Sequence, residues 1–192
     1  MILLLDVMST LVYDPFAVEM PEFLGVSLAE IIERKTPNHW QRFERDEITE
    51  EEFYKDFFLE GPPVDGEGLK QVLFDSYRFL DGIEELLQEL DARGVEMHTL
   101  SNYPVWWEII EEKLSLSRYV EWSFVSCKMG VRKPDLDAYR IPATTLGAKP
   151  HECLFVDDRG INCKAASEVG MHAVKFEGAD SLRAALIEHG VL

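Results

Sequence analysis

Five short apolar runs, each separated from the next by enough chain for a helix, constrain this sequence more than any other feature. Their apolar residues are continuous rather than alternating, which is typical of strands covered on both faces of a parallel sheet. We predict strands over 1–5, 95–100, 122–126, 153–156 and 172–176. Helices are predicted over 81–93, 104–114, 134–146 and 162–169, with a kink or break at Pro142. The pattern therefore indicates an α/β fold around a parallel sheet.

The stretch between the first two predicted strands, from about 13 to 79, is too long for a single crossover. Two capping boxes open helical patterns inside it, at Ser27 with Glu30 and at Thr49 with Glu52. Aromatic residues recur there at helical spacing, which is typical of a packed core. We therefore expect a helical insert on the α/β core.

Charge and cysteine content exclude several classes of function. The 192 residues carry 19 Lys and Arg against 36 Asp and Glu, a formal net charge of −17. Such a field opposes binding to nucleic acid or to an anionic membrane, so we expect neither partner. The three cysteines form no C-x-x-C pair, which predicts free thiols in a reducing compartment.

The apolar start of the chain differs from a secretory signal. The run 1–5 ends at Asp6 and has neither a basic start nor a small-residue cleavage site. No segment approaches the ~20 apolar residues that span a bilayer. We therefore expect a soluble, cytoplasmic protein without a visible transit peptide, as a monomer or a homodimer.

Polar residues follow the predicted strands and should meet at one rim, because ligands bind at the carboxyl ends of strands in an open parallel sheet. Three close carboxylates repel one another unless a cation lies between them, and ligands that are all oxygens suit Mg²⁺. An ammonium and a hydroxyl on the same rim would neutralise a phosphoryl group. The residues concerned are Asp6, Ser101, Asn102, Lys133, Asp157 and Asp158.

These residues stand in four ordered motifs that resemble those of the haloacid dehalogenase superfamily, in its class with a helical cap between the first two strands. The motifs are Leu3-Leu4-Leu5-Asp6 with Thr10-Leu11, Thr99-Leu100-Ser101-Asn102, Lys133-Pro134-Asp135, and Leu154-Phe155-Val156-Asp157-Asp158. The resemblance covers nearly the whole chain. It implies a Rossmann-like hydrolase core over 1–13 and 80–192 and an α-helical cap over 14–79.

The resemblance also implies a role for each rim residue. Asp6 would attack phosphorus and form an aspartyl phosphate that water then hydrolyses. Ser101, with Asn102 beside it, would bind a phosphoryl oxygen. Lys133 would pair with both the nucleophile and the phosphate. The implied activity is hydrolysis of a small phosphorylated metabolite.

A Mg²⁺ ion is the cofactor that the resemblance implies. Asp6, Asp157 and Asp158 would hold it, one of the latter two through water, together with the main-chain carbonyl of Met8.

Met8 departs from the family's pattern, since its phosphatases usually carry a second aspartate two residues after the nucleophile. That aspartate protonates the leaving alkoxide and later activates water, which the Met8 side chain cannot do. Ser9 or a cap histidine such as His39 could substitute. The departure leaves two alternatives open: a metal-independent dehalogenase, whose halide leaves without a proton, and a non-catalytic protein that binds Mg²⁺ or a phosphorylated ligand. The intact pair Asp157-Asp158 favours phosphate chemistry.

A closer resemblance is to the plastid flavin mononucleotide hydrolases of plants. It is carried by Asp6-Val7-Met8, Thr10, Asp14-Pro15-Phe16, Asn102-Tyr103-Pro104, Cys127 and Arg132-Lys133-Pro134-Asp135. It implies that Tyr103, Trp106 or Trp107 contacts an isoalloxazine ring, because these aromatic residues begin beside the phosphate site. The alternative is that at least one of the two tryptophans only packs on the sheet.

Overall fold

A five-stranded sheet forms the centre of the molecule. The computed structural model describes all residues, 1–192. Every neighbouring pair of strands is parallel, in the order β3-β2-β1-β4-β5. The strands are β1 (Ile2–Leu5), β2 (Met97–Ser101), β3 (Glu121–Val125), β4 (Cys153–Asp157) and β5 (His172–Lys175). The predicted Rossmann-like α/β sheet is therefore confirmed.

Eleven α-helices surround this sheet or lie between β1 and β2. They are α1 (Glu19–Leu24), α2 (Leu28–Arg34), α3 (His39–Glu44), α4 (Glu50–Lys55), α5 (Gly66–Ser76), α6 (Ile83–Ala92), α7 (Trp107–Leu114), α8 (Ser126–Met129), α9 (Asp137–Thr145), α10 (Gly160–Glu168) and α11 (Ala179–Glu188). Short 3₁₀ helices occupy Pro15–Ala17, Leu116–Arg118 and Pro150–Glu152.

Both faces of the sheet are buried, because successive side chains of a strand point to opposite faces. Leu3 and Leu5 of β1 belong to one hydrophobic cluster, whereas Leu4 belongs to another on the opposite face. Phe155 of β4 joins Leu4, while its neighbour Leu154 joins Leu3. This double burial explains why the strands appear in the sequence as continuous apolar runs.

Helices α1–α5 form the predicted insert between β1 and β2. Both predicted capping boxes are present, at the start of α2 and at the start of α4. The two connections to the sheet lie side by side, since the Tyr13 N–H donates to the Arg78 carbonyl at 2.9 Å and Val12 pairs with Phe79. The assignment of 14–79 as a separate cap domain stays a prediction.

Two local expectations differ from the structure. Pro142 lies within α9 without breaking it, so of the predicted kink or break the break does not occur. Proline removes only one N–H from this short helix, and Pro142 is buried. Ser126 begins α8 instead of ending β3. As expected, none of the helices has the length and apolarity needed to cross a membrane.

Candidate active site

The carboxyl ends of three neighbouring strands bring the predicted catalytic residues together. Asp6 follows β1 directly, Ser101 ends β2, and Asp157 ends β4. Because β1 lies between β2 and β4, these three positions are adjacent at one rim of the sheet. The Lys133 ammonium lies 2.8 Å from Asp6 Oδ1 and 2.6 Å from Asp157 Oδ2.

The Asp157 carboxylate is held firmly from α10. The Asn162 amide Nδ2 lies 3.0 Å from each Asp157 oxygen, and the Arg159 N–H donates to Oδ1 at 2.8 Å. The Asp158 N–H donates to the Thr10 hydroxyl at 3.2 Å, whereas the Asp158 carboxylate makes no hydrogen bond. The carboxylate of Asp158 is therefore free to bind a ligand, whereas that of Asp157 already accepts several hydrogen bonds.

Three carboxylates meet at this rim against a single ammonium. One oxygen each of Asp6, Asp157 and Asp158 lies within 4.8 Å of the others, and we call these three residues the carboxylate cluster. The pKa of Asp6 is raised to about 7, because burial and the Asp157 charge together outweigh the lowering effect of Lys133. Burial and the Asp157 charge also raise the pKa of Asp158.

The carboxylate cluster has the chemistry that Mg²⁺ requires. Its donors are all oxygens, and a divalent cation would relieve the repulsion among them. The Met8 main-chain carbonyl accepts no backbone hydrogen bond, so its oxygen is also available. These residues therefore fit a hard divalent cation.

Ser101 and Asn102 stand in different relations to the site. The Ser101 hydroxyl is buried and has no hydrogen-bond partner, a state that a bound oxyanion would satisfy. The Asn102 amide is occupied, because it donates to the Lys133 carbonyl at 2.9 Å and accepts from the Lys133 N–H at 2.8 Å. Asn102 therefore positions the segment that carries Lys133.

A cavity of about 300 Å³ opens beside the carboxylate cluster. Its wall combines residues of the core, including Met8 and Asn102, with residues of the helices between β1 and β2, including Trp40 and Phe53. Cationic side chains line it despite the net charge of −17, among them Lys35 and Arg159. Neither of these two forms an ion pair with a carboxylate.

The three aromatic residues predicted to contact a ligand occupy different environments. Tyr103 lines the cavity, but it is buried and its hydroxyl bonds to the Tyr77 hydroxyl. Trp106 is 2% exposed, and its indole N–H donates to Glu50. Trp107 lies outside the cavity wall and packs on Trp122 with ring centroids 5.2 Å apart. The packing alternative thus describes Trp107.

Glu44 is a site residue that the sequence analysis missed. Only 3% of this residue is exposed, and its carboxylate accepts from Arg132 Nε at 2.7 Å and from the Trp40 indole N–H at 2.6 Å. Burial raises the pKa of Glu44 and Arg132 opposes this. The Ser126 hydroxyl donates to the Glu44 carbonyl at 2.6 Å, which ties α3 to the core. No local signal separates Glu44 from a surface glutamate, since Arg132 is 88 residues away.

His39 is buried in the cavity wall. Its Nε2 bonds to the Phe53 carbonyl at 3.1 Å and must carry the proton there, because a carbonyl only accepts. The ring stacks on Phe53, and Nδ1 is sealed from solvent without a partner. No atom of this ring is therefore free to give a proton to a ligand.

Comparisons with known proteins agree with this site. A flavin mononucleotide hydrolase of Arabidopsis thaliana, described as chloroplastic, is 46% identical over 190 residues, which cover 99% of this chain and 78% of the relative. A sesquiterpene phosphatase of Aspergillus oryzae is 28% identical over 144 residues, 69% of each protein. A HAD family enzyme of Bacteroides thetaiotaomicron, solved in complex with magnesium and inorganic phosphate, has a TM-score of 0.73 at 22% identity and covers 90% of this chain and 92% of that one.

The sequence profile of the haloacid dehalogenase-like hydrolases matches residues 17–170. The structural likeness at 22% identity concerns the fold alone, whereas the profile and the 46% identity to a plant relative concern the family. The resemblance identified in the sequence is confirmed, and this chain belongs to the haloacid dehalogenase-like hydrolases.

Proposed function

We propose that this hydrolase is a Mg²⁺-dependent phosphomonoester hydrolase that acts on a small phosphorylated metabolite, with flavin mononucleotide as the first candidate. The proposal is carried by the convergence of the carboxylate cluster with Lys133 beside the unpartnered Ser101 hydroxyl. Phosphoryl transfer requires a nucleophile, positive charge and hydrogen-bond donors at one point, and these groups supply all three.

In the proposed reaction, an Asp6 oxygen attacks phosphorus while the bond from phosphorus to the leaving oxygen breaks. The product is an aspartyl phosphate, which water then hydrolyses. Lys133 orients Asp6 from 2.8 Å and neutralises a phosphoryl oxygen, and the Ser101 hydroxyl donates to another. Asn102 holds Lys133 in place through its two main-chain hydrogen bonds.

Asp6, Asp157, Asp158 and the Met8 carbonyl would hold Mg²⁺ in this proposal. When bound, the ion supplies positive charge against the transferring phosphoryl group. Asp158 is the best placed of the acidic pair to bind it directly, because the Asp157 oxygens already accept from Lys133 and Asn162.

The methionine at position 8 is the observation that favours a second candidate function, that of a dehalogenase. Its side chain lies in the cavity wall, where the family's phosphatases usually carry an acid. A dehalogenase needs no acid there, because a halide leaves without a proton. Such an enzyme also needs no metal, yet the carboxylate cluster is complete. Phosphate chemistry therefore has the stronger support.

The Arabidopsis relative supports flavin mononucleotide as the substrate, and the aromatic cavity wall suits a planar ring. Trp40 is the best candidate to contact that ring. It is only half-buried, whereas Phe43, Phe53 and Trp106, whose rings pack against it, are buried. Its hydrogen bond to Glu44 fixes the plane of the indole.

We further propose that 14–79 acts as a cap that opens to admit substrate, with the Glu44–Arg132 ion pair closing it against the core. A cytoplasmic location stays a prediction, since the Arabidopsis relative is described as chloroplastic. The same is true of a monomeric or homodimeric state.

Phosphate release from a panel of phosphorylated metabolites tests the proposed function. The panel includes flavin mononucleotide and 4-nitrophenyl phosphate, first with Mg²⁺ and then with a chelator. We expect that the chelator abolishes turnover and that added Mg²⁺ restores it. Lys133 is the only side-chain cation that pairs with the three carboxylates of the cluster, so a metal ion must supply the remaining positive charge. If no compound of the panel releases phosphate, including the aryl ester, the dehalogenase or the non-catalytic alternative is favoured.

Trp40→Leu is expected to raise the Kd for flavin mononucleotide about tenfold, since an aromatic contact contributes roughly 0.5–1.5 kcal/mol beyond the area it buries. Binding is measured by quenching of flavin fluorescence, with inorganic phosphate as a second ligand. Trp107→Leu is the matched control, because Trp107 is a half-buried tryptophan outside the cavity. Equal flavin binding by wild type and Trp40→Leu would contradict the assignment.

A further inference from the structure

The proposed function leaves one proton unaccounted for. An alkyl phosphate releases an alkoxide, which must be protonated as it leaves, and the Met8 side chain has no proton to give. If the proposed function holds, another group of this chain must supply the proton.

Four carboxyl groups line the cavity: Asp6, Asp14, Glu44 and Asp158. Asp6 is the nucleophile of the proposed reaction, and Asp158 belongs to the carboxylate cluster. Glu44 already accepts from Arg132 and Trp40. Asp14 alone has no cationic partner and no place in the carboxylate cluster.

One oxygen of Asp14 is free. Oδ1 accepts the Phe16 N–H at 3.0 Å and caps the 3₁₀ helix Pro15–Ala17. Oδ2 makes no hydrogen bond and is not fully buried. Since Asp14 lines the cavity, Oδ2 is open to a ligand there.

The chain returns toward the nucleophile before it reaches Asp14. Val12 pairs with Met8 in a parallel bridge, which places their backbones about 5 Å apart. Asp14 follows Val12 by two residues, a span of at most about 7 Å. Asp6 and Asp14 line the same cavity, so a leaving group that extends from Asp6 into this cavity can meet the Asp14 carboxyl.

The surroundings of Asp14 raise the pKa of its carboxyl above the ordinary value. Burial raises the pKa of Asp14, the Phe16 N–H opposes this, and the nearby Glu19 carboxylate of α1 raises it further. The other titratable groups that face Asp14 are Tyr77 and Tyr103, whose hydroxyls bond to each other. No lysine or arginine is among the groups that act on Asp14.

We propose that Asp14 is the general acid and base of this enzyme, in place of the aspartate that Met8 replaces. As Asp6 attacks, the bond from phosphorus to the leaving oxygen breaks, and that oxygen takes the proton of the Asp14 carboxyl and departs as an alcohol. The Asp14 carboxylate then removes a proton from the water that attacks the aspartyl phosphate. The bond between Asp6 and phosphorus breaks, phosphate leaves, and protonated Asp14 is restored.

Other proton donors in the cavity are less suitable. His39 donates its Nε2 proton to the Phe53 carbonyl, and the Tyr103 hydroxyl bonds to the Tyr77 hydroxyl. Ser9 lines the cavity as well, but an alcohol is as weak an acid as the leaving group it would protonate.

Asp14→Asn tests this assignment, because asparagine caps a helix as well as aspartate does. In single-turnover reactions, the variant is expected to cleave the best alkyl phosphate about 10²–10⁴-fold more slowly than wild type. With 4-nitrophenyl phosphate, whose leaving group needs no acid, a burst of nitrophenol should persist near the wild-type rate and a slow steady state should follow. In wild type, the rate of alkyl ester cleavage should fall as pH rises through the pKa of Asp14, and this fall should be absent in Asp14→Asn.

Asp65→Asn is the matched control, since Asp65 caps α5 through the Gly68 N–H at 3.1 Å and lies outside the cavity. In the Asp14→Asn background, Met8→Asp supplies a carboxyl at the family's usual position and is expected to recover alkyl ester cleavage. An equal loss on both esters, or no loss on the alkyl ester, would overturn the assignment. A wild-type protein that hydrolyses neither ester would contradict the proposed function itself, and the role of Asp14 would fall with it.

Discussion

Asp6→Asn is expected to lower kcat by about 10⁵-fold or more, the scale on which removal of a catalytic nucleophile acts. The amide has no negative charge with which to attack phosphorus, while its size and its place beside Lys133 are kept. The measurement is phosphate release from the best substrate of the panel. Retention of full activity would contradict both the phosphatase and the dehalogenase, since each requires this carboxylate.

The same variant shows whether a loss of activity reflects chemistry or folding. The pKa of Asp6 is about 7 in the folded protein against an ordinary 3.8, so its ionisation opposes folding. The protonated Asp6 carboxyl makes its full contribution to the free energy of unfolding below about pH 4, and this contribution is lost as pH rises to about 7. In chelator-treated protein above pH 7, Asp6→Asn should therefore have a higher Tm than wild type, and the gap should close toward pH 4. A lower Tm would assign the loss of activity to folding.

The sheet and the polar rim at the carboxyl ends of its strands could be predicted because their signals are local. A strand buried on both faces is a continuous apolar run, and the polar residue that ends it marks the carboxyl rim. Asp6 and Asp157 follow or end such runs. Lys133 precedes α9 rather than ending a strand. Its position after the third strand placed it on this rim, and the resemblance to a family assigned its pairing with the nucleophile.

The cavity wall could not be predicted, because it depends on contacts between distant segments. Glu44 is buried only because Arg132 meets it from the core. Trp40 and Trp106 both line the cavity, and only packing decides that Trp40 is half-buried while Trp106 is 2% exposed. Asp14 entered the sequence analysis only as part of a family motif, and in the structure it caps the 3₁₀ helix Pro15–Ala17.

Lys133→Met is expected to affect both activity and stability, because this ammonium is the only cation that pairs with the carboxylate cluster. Lys133 is 1% exposed and Asp157 is fully buried, so the pair lies in the interior. Burial alone would lower the pKa of Lys133, but Asp6 and Asp157 raise it, and the side chain is charged. Removing one partner of a buried ion pair typically costs about 3–5 kcal/mol. We expect a fall in Tm of roughly 6–20 °C in chelator-treated protein.

Catalysis should also fall by at least about 10²–10³-fold, the cost of removing one group that stabilises transition-state charge. Lys55→Met is the matched control, since Lys55 is exposed and forms no ion pair. Two additions separate charge balance from side-chain packing: Mg²⁺ and the double variant Asp6→Asn with Lys133→Met. Each reduces the repulsion among the carboxylates, so each should return part of the lost Tm, while neither restores turnover. If neither raises the Tm of Lys133→Met, the buried lysine stabilises the fold through its packing rather than its charge.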